Sequence, residues 1–182
     1  MIFEPKEFTT KTGLKVVIKT PEIKDAEELL CFIKAVCGET NYLLSTPDDM
    51  NFSVDGEKAF IESNLKSKNY LLIAIVNGKI VGDASLNISN QIKLRHRANI
   101  GIAILKDYWN NGIGSVLFET MIEIAKENEN IEQLNLTYAK DNKRGENLYK
   151  KFGFVETGVF PKSLKQLDGT YTDEVFMSRY LK

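Results

Sequence analysis

The chain has 182 residues, 43% of them hydrophobic, and a formal net charge of −1. That is apolar material for one full core, so 1–182 is read as a single domain, and the near-zero charge argues against a nucleic-acid partner. No apolar run reaches the roughly 18 residues of a spanning helix, and Met1–Thr10 has no basic stretch ahead of an apolar block, so a cytoplasmic protein without membrane association is expected.

Thr12-Gly13 punctuates a hairpin between Glu7–Thr10 and Leu14–Lys19. Asp25-Ala26-Glu27-Glu28 has the spacing of a capping box and should start a helix that buries Leu29, Leu30, Ile33 and Val36, with Gly38 as its stop. Cys31 and Cys37 lie on this helix and point to different faces, as ordinary core thiols of a reducing compartment do. With His96 the single histidine, these donors have no metal-ligand spacing, and no metal is expected. Glu39–Phe52 lacks periodicity; irregular connections often carry binding function, so this one is expected to shape a ligand site. A second helix runs from Asp55 or Gly56 to Lys66 and buries Phe60, Ile61 and Leu65. Tyr70–Val76 and Lys79–Asn87 are strands flanking Asn77-Gly78, the strongest short hairpin signal. Gln91–Arg97 then carries Lys93, Arg95, His96 and Arg97; a short basic run at a hairpin end is usually a solvated face.

Asn99–Glu127 is the most informative stretch. Ile100, Ile102 and Ile104 alternate with small residues as in a largely buried strand. Trp109-Asn110-Asn111-Gly112-Ile113-Gly114 is a glycine turn, and Ile113, Val116, Leu117, Met121 and Ile124 then fall at helical spacing, with Ser115, Glu119, Glu123 and Glu127 on the wet face. A turn feeding a helix leaves the first N–H groups free and adds the positive end of the helix dipole, which together make an anion site suited to phosphate. A Rossmann fingerprint would place a third glycine where Leu117 stands, so NAD is not the expected ligand. Ile131–Tyr138 is another strand, Asn142 an N-cap, and a short helix holding Leu148, Tyr149 and Phe152 ends at Gly153. Phe154–Phe160 and Tyr171–Leu181 close the chain around Asp168-Gly169. This order implies an α/β fold (α+β type): a mixed, mostly antiparallel sheet with one parallel pair, the Ile100 and Leu134 strands, joined through the long helix.

The strand "IGIAIL", the turn "WNNGIGSVL" and the later "NKRGENLYKKFGF", with the closing "DGTYTDEVFMSRYL", resemble the GNAT superfamily of N-acetyltransferases. The resemblance implies that the two parallel strands splay and that the pantetheine arm of acetyl-CoA lies in the gap. It assigns backbone groups near Ile102 and Ile104 to the arm and the amides of Asn110, Asn111, Gly112, Ile113 and Gly114 to the pyrophosphate. Trp109 stands where the family often has Gln or Arg. Asn142 matches the asparagine that contacts the arm, and Tyr149 the general acid that protonates the departing thiolate.

The resemblance does not fix a base. Relatives with a glutamate five residues before the asparagine, or entering the central strand, would have it where this chain has Thr137 and Asn99. Glu39, Asp83, His96, Glu174 or water alone remain open. The expected activity is an acyltransferase reaction that moves acetyl from acetyl-CoA directly to a primary amine of a small molecule, polyamine or protein. Glu39, Tyr42, Asp48, Asp49, Asp173 and Glu174 lend the acceptor side an acidic tendency that suits a cationic amine. A non-catalytic acyl-CoA-binding module and a ribosome- or RNA-associated module through the basic run are the alternatives. Oligomeric state, including a homodimer, and preference for acetyl over longer acyl groups are left open.

Overall fold

A computed structural model of the chain describes residues 1–49 and 53–182. Among the described residues, strands β1 (Lys6–Thr9), β2 (Lys15–Lys19), β3 (Tyr70–Val76), β4 (Lys79–Ile88), β5 (Arg97–Ile104), β6 (Gln133–Ala139), β7 (Val155–Lys165) and β8 (Tyr171–Tyr180) form one sheet. Their order is β1-β2-β3-β4-β5-β6-β8-β7. Helices α1 (Ala26–Glu39), α2 (Val54–Lys66), α3 (Ile113–Glu127) and α4 (Lys143–Lys151) cover it. No helix among these residues is long and apolar enough to cross a membrane.

Every strand pairing is antiparallel except β5 with β6, and α3 makes the crossover that a parallel pair requires. That pairing ends at Asn99↔Asn135 although both strands continue to Ile104 and Ala139. At the β3–β4 turn, Asn77 and Gly78 have φ of 49° and 79°, the left-handed pair that a tight hairpin needs.

Two cores flank the sheet. On one face Leu117, Phe118 and Met121 of α3 pack with Leu134 and Leu136 of β6 and Val175 and Met177 of β8. On the other, Leu29, Phe32 and Val36 of α1 and Ile61 of α2 pack against Leu71, Ile73 and Ile80. Burying each such side chain contributes about 1.5–3 kcal/mol. Phe118 is the aromatic hub of the first core, with Tyr149, Phe152 and Phe154 at 5.4, 5.7 and 5.9 Å between ring centroids.

Local patterns mislead at five places. Asp25 does precede α1, but a single 3-10 turn over Ile23–Asp25 runs into the helix, so its backbone is already helical. Its carboxylate serves the Glu22 N–H at 2.8 Å and Lys19 at 2.7 Å instead, while Glu28 accepts from the Ile80 N–H at 2.8 Å and ties α1 to β4. Gly38 stays inside the helix, which ends at Glu39, and Ile33 is only partly buried. In α2 the inward stripe is Glu57, Ile61 and Leu65, so Phe60 is turned out and exposed at 49%. Cys31 is exposed and only Cys37 is a core thiol. The expected irregular segment begins after Glu39 and includes a short 3-10 turn at Pro47–Asp49; its last residues, 50–52, lie outside the described residues.

Phe118→Ala should cost about 3–5 kcal/mol of unfolding free energy, because it opens a cavity where three aromatic rings meet. Urea unfolding with an unchanged slope checks this, and a loss below about 1 kcal/mol would show that the hub is not a tight contact.

Candidate functional site

Beyond Asn99↔Asn135 the sheet has a gap. Leu105 N–H bonds Val81 O and His96 O receives Gln133 N–H, so the strand alternation turns the backbone groups of Ile102 and Ile104 toward the side where β6 has left. The gap opens into a cavity of about 1040 Å³, large for a small-molecule site and suited to an extended ligand. Ile102, Ile104, Trp109, Asn110, Gly112, Ile113, Gly114, Asn142 and Tyr149 all line it, and Asn111 completes the turn between them.

One bank is the glycine turn. Asn110 and Gly112 take φ of 64° and 85°, and the N–H groups of Asn110, Asn111, Gly112, Ile113 and Gly114 donate to nothing among the described residues. The first paired amide is Ser115, to Gly112 O at 3.0 Å. Five consecutive free donors at a helix N-terminus form an anion-binding concavity. The β1–β2 turn braces it: Thr12 Oγ1 donates to Asn111 O at 3.1 Å, and a Cβ on Gly112 would stand 3.1 Å from Thr10 Cβ. Gly114 does a different job. Its φ is not positive, but a Cβ there would meet Leu148 Cδ2 at 3.1 Å and Ile104 Cδ1 at 3.4 Å, so it lets α4 close on the head of α3.

The other bank is the end of β6 and α4. Asn142 caps α4, its Oδ1 accepting from Gly145 N–H at 2.9 Å. Tyr149 is 7% exposed and rests on Phe118 at 5.4 Å and Tyr138 at 5.5 Å. Desolvation pushes its phenol up to about 12, against a smaller opposing pull from Arg144. The hydroxyl is therefore a neutral donor at physiological pH.

The base candidates separate. Glu174 lines the cavity, its carboxylate accepting from Ser163 Oγ at 2.9 Å. Glu39 is committed to the Lys106 N–H at 2.6 Å. His96 and Asp83 do not line the cavity. Part of Asp83 stays accessible, but its carboxyl is enclosed, and desolvation pushes it up to about 7. Of the residues expected on the acceptor side, Asp49 bonds Thr46, Asp173 pairs with Lys140, Asp48 is exposed and does not line the cavity, and Tyr42 and Glu174 stand in the cavity wall. The acidic tendency is thus largely spent on local bonds.

The structure adds Arg144. Its guanidinium lies over the Trp109 ring, 3.1 Å from the centroid, and the Trp109 indole N–H donates to Ile104 O at 2.7 Å. No local pattern joins the two residues; the contact exists only because α4 folds back on the turn.

The model of the acetyltransferase (GNAT) family matches residues 39–154. The L-amino acid N-acetyltransferase AaaT of Escherichia coli K12 is 30% identical over 108 residues, 59% of this chain and 66% of the relative, so the chain spans just under two thirds of that protein's length. The crystal structure of an acetyltransferase of the GNAT family from Streptococcus pneumoniae matches with a TM-score of 0.87 at 31% identity, over 91% of this chain and 99% of that one. The structure of yncA from Salmonella typhimurium, with its cofactor acetyl-CoA, shares the fold at a TM-score of 0.80 and 18% identity, over 92% of this chain and 94% of that one.

Asp83 yields a pH test. Between pH about 4 and 7 the folded chain keeps a proton that the unfolded chain releases, because the folded carboxyl titrates near 7 and the unfolded one near 3.8. Stability therefore falls as pH rises through that window. Asp83→Asn removes this slope, so its stabilising effect should grow from pH 4 to 7 and level off above. Parallel stability–pH curves for the two proteins would show that Asp83 titrates normally.

Proposed function

The chain belongs to the acetyltransferase (GNAT) family, and we propose that it moves an acetyl group from acetyl-CoA directly to a primary amine within a ternary complex. The observation that carries this reading is the gap itself, with five free amides on one bank and a neutral buried phenol on the other. The amides of Asn110 to Gly114 receive the pyrophosphate. The free edge of β5 at Ile102 and Ile104 takes the pantetheine arm as an added strand, and the Asn142 side chain contacts it from the other bank. Direct transfer is favoured because neither thiol lines the cavity: Cys31 is exposed on α1, and Cys37 is buried in the second core.

In this reaction the neutral amine attacks the thioester carbon and forms a tetrahedral intermediate. Collapse breaks the C–S bond, Tyr149 gives its proton to the leaving thiolate, and the tyrosinate recovers a proton from solvent. Glu174, alone or through water, is positioned to accept the proton that the amine loses. The base requirement orders the acceptors. A lysine-type amine titrates near 10.4 and a peptide N-terminal α-amine near 7.7–8.0, so at pH 7 roughly a tenth of the latter is already neutral against less than a thousandth of the former. A peptide α-amine therefore asks least of a single carboxylate, while the name of the Escherichia coli relative adds free amino acids to the first acceptors to try. Thiol release from acetyl-CoA across a panel of amino acids, polyamines and peptides tests the reading. Tight CoA binding with no release for any amine would favour an acyl-CoA sensor instead.

Tyr149→Phe keeps the ring against Phe118 and Tyr138 and removes only the hydroxyl. General acid catalysis is worth about 10²–10⁴ in rate, and the single-turnover rate should fall by that order with CoA affinity nearly unchanged. A near-wild-type single-turnover rate would reject the role.

A further inference from the structure

Four cations sit on α4, and three have oxygen partners. Lys143 and Lys150 pair with Glu146 at 2.8 and 2.6 Å, and Lys151 donates to Ser115 Oγ at 2.8 Å. Arg144 makes no ion pair among the described residues, and its Nη1 is buried without any hydrogen-bond partner. The ionisable side chains beside it are the phenols of Tyr149 and Tyr42. A guanidinium left this way is unfavourable, and stacking on an indole offsets only part of the cost, about 0.5–2 kcal/mol.

The placement of this cation gives it a purpose. Trp109 directly precedes the first of the five free amides and is pinned to β5 through Ile104 O. The turn Trp109–Gly114 contains no cationic side chain of its own. Arg144 reaches it from the opposite bank, and Leu148, one helical turn further along α4, already touches the head of α3 at Gly114. A flat guanidinium on a flat, fixed indole presents its remaining N–H groups in a set direction, the arrangement that suits forked bonding to phosphate oxygens.

We propose that Arg144, held on the face of Trp109, is the cationic part of the phosphate site and binds the pyrophosphate of CoA together with the Asn110–Gly114 amides. It rests on the reading that the cavity takes CoA. Binding then ties α4 to the glycine turn, so the ligand itself bridges the two banks. Trp109 acts as a positioning residue and Arg144 as the contact.

Three ligands separate the possibilities by calorimetry or competition: CoA, dephospho-CoA, which keeps the pyrophosphate, and pantetheine, which has no phosphate. Arg144→Gln should weaken CoA and dephospho-CoA alike by about tenfold to a hundredfold, the usual worth of a hydrogen bond to a charged group. Pantetheine should be unaffected, which also reports that the cleft is intact. Arg144→Lys should recover part of the loss, as a charge without the fork. Trp109→Leu should weaken CoA in the wild-type background and add little to Arg144→Gln, since both act through one contact. Equal CoA affinity in wild type and Arg144→Gln overturns the proposal, as does a loss confined to CoA, which would move the cation to the 3′-phosphate. A loss shared by pantetheine also overturns it, by making Arg144 a structural residue. No binding of CoA or dephospho-CoA to the wild-type protein would instead sink the acetyl-CoA reading, and the Arg144 role with it.

Discussion

Parallel pairing between β5 and β6 stops at Asn99↔Asn135, and a backbone that stops pairing inside a sheet needs other restraints to hold the strands apart. Each strand is restrained from its outer side. β5 stays paired with β4 up to Gly82↔Ile104, and β6 stays paired with β8 up to Ala139↔Glu174. The gap is therefore a consequence of two strong antiparallel ladders diverging. The polar groups it exposes on β5 have solvent or a ligand as their partners, apart from Ile104 O, which Trp109 already occupies.

The same divergence sets what approaches from each face. Tyr138 points toward α4 and props Tyr149, whereas the next residue, Ala139, pairs with Glu174, whose side chain lies on the opposite face from Val175. Tyr42, Leu43 and Leu44 line the cavity after α1, on the side of the second core. In the proposed reaction, phosphate binding and thiolate protonation therefore fall on the α3/α4 side, and acceptor entry and amine deprotonation on the α1/α2 side. Tyr138 and Ala139 at the end of β6 contact Tyr149 of α4 and pair with Glu174 of β8, at one level of the sheet.

Much of this arrangement was legible in the residues. Alternation, the Asn77-Gly78 turn, the glycine turn and the Asn142 cap are local signals, and the two turns mark left-handed backbone that few residues tolerate. What local pattern could not carry is any choice between near-equivalent partners. Asp25 had the spacing of a cap but found Lys19 and the Glu22 amide, and Glu28 was drawn to Ile80 across the core. In α2 a stripe one position away turned Phe60 out and took Glu57 in, where burial raises its carboxyl and leaves Oε1 unpaired. Four base candidates stayed open in sequence because their place relative to the cavity, and not residue type, separates them. Arg144 was visible in "NKRGENLYKKFGF", yet its stack on Trp109 is a tertiary contact with no periodicity to announce it.

The electrostatics of α4 explain why Arg144 is the cation left over. Lys143 and Lys150 lie on either side of Glu146 at helical spacing, and their combined hydrogen bonds bring its carboxyl down to about 2. That cluster is exposed and screened, so it adds little to stability, but it consumes the one acidic side chain of the helix. Arg144 points the other way, into the cavity wall beside Tyr149. A positive charge there opposes desolvation of the phenol and favours transient tyrosinate, the species left when Tyr149 gives up its proton. An anionic ligand on Arg144 partly cancels that influence. In the proposed scheme, phosphate binding at the turn and the acidity of Tyr149 are coupled through one side chain, Arg144, which shares α4 with the tyrosine.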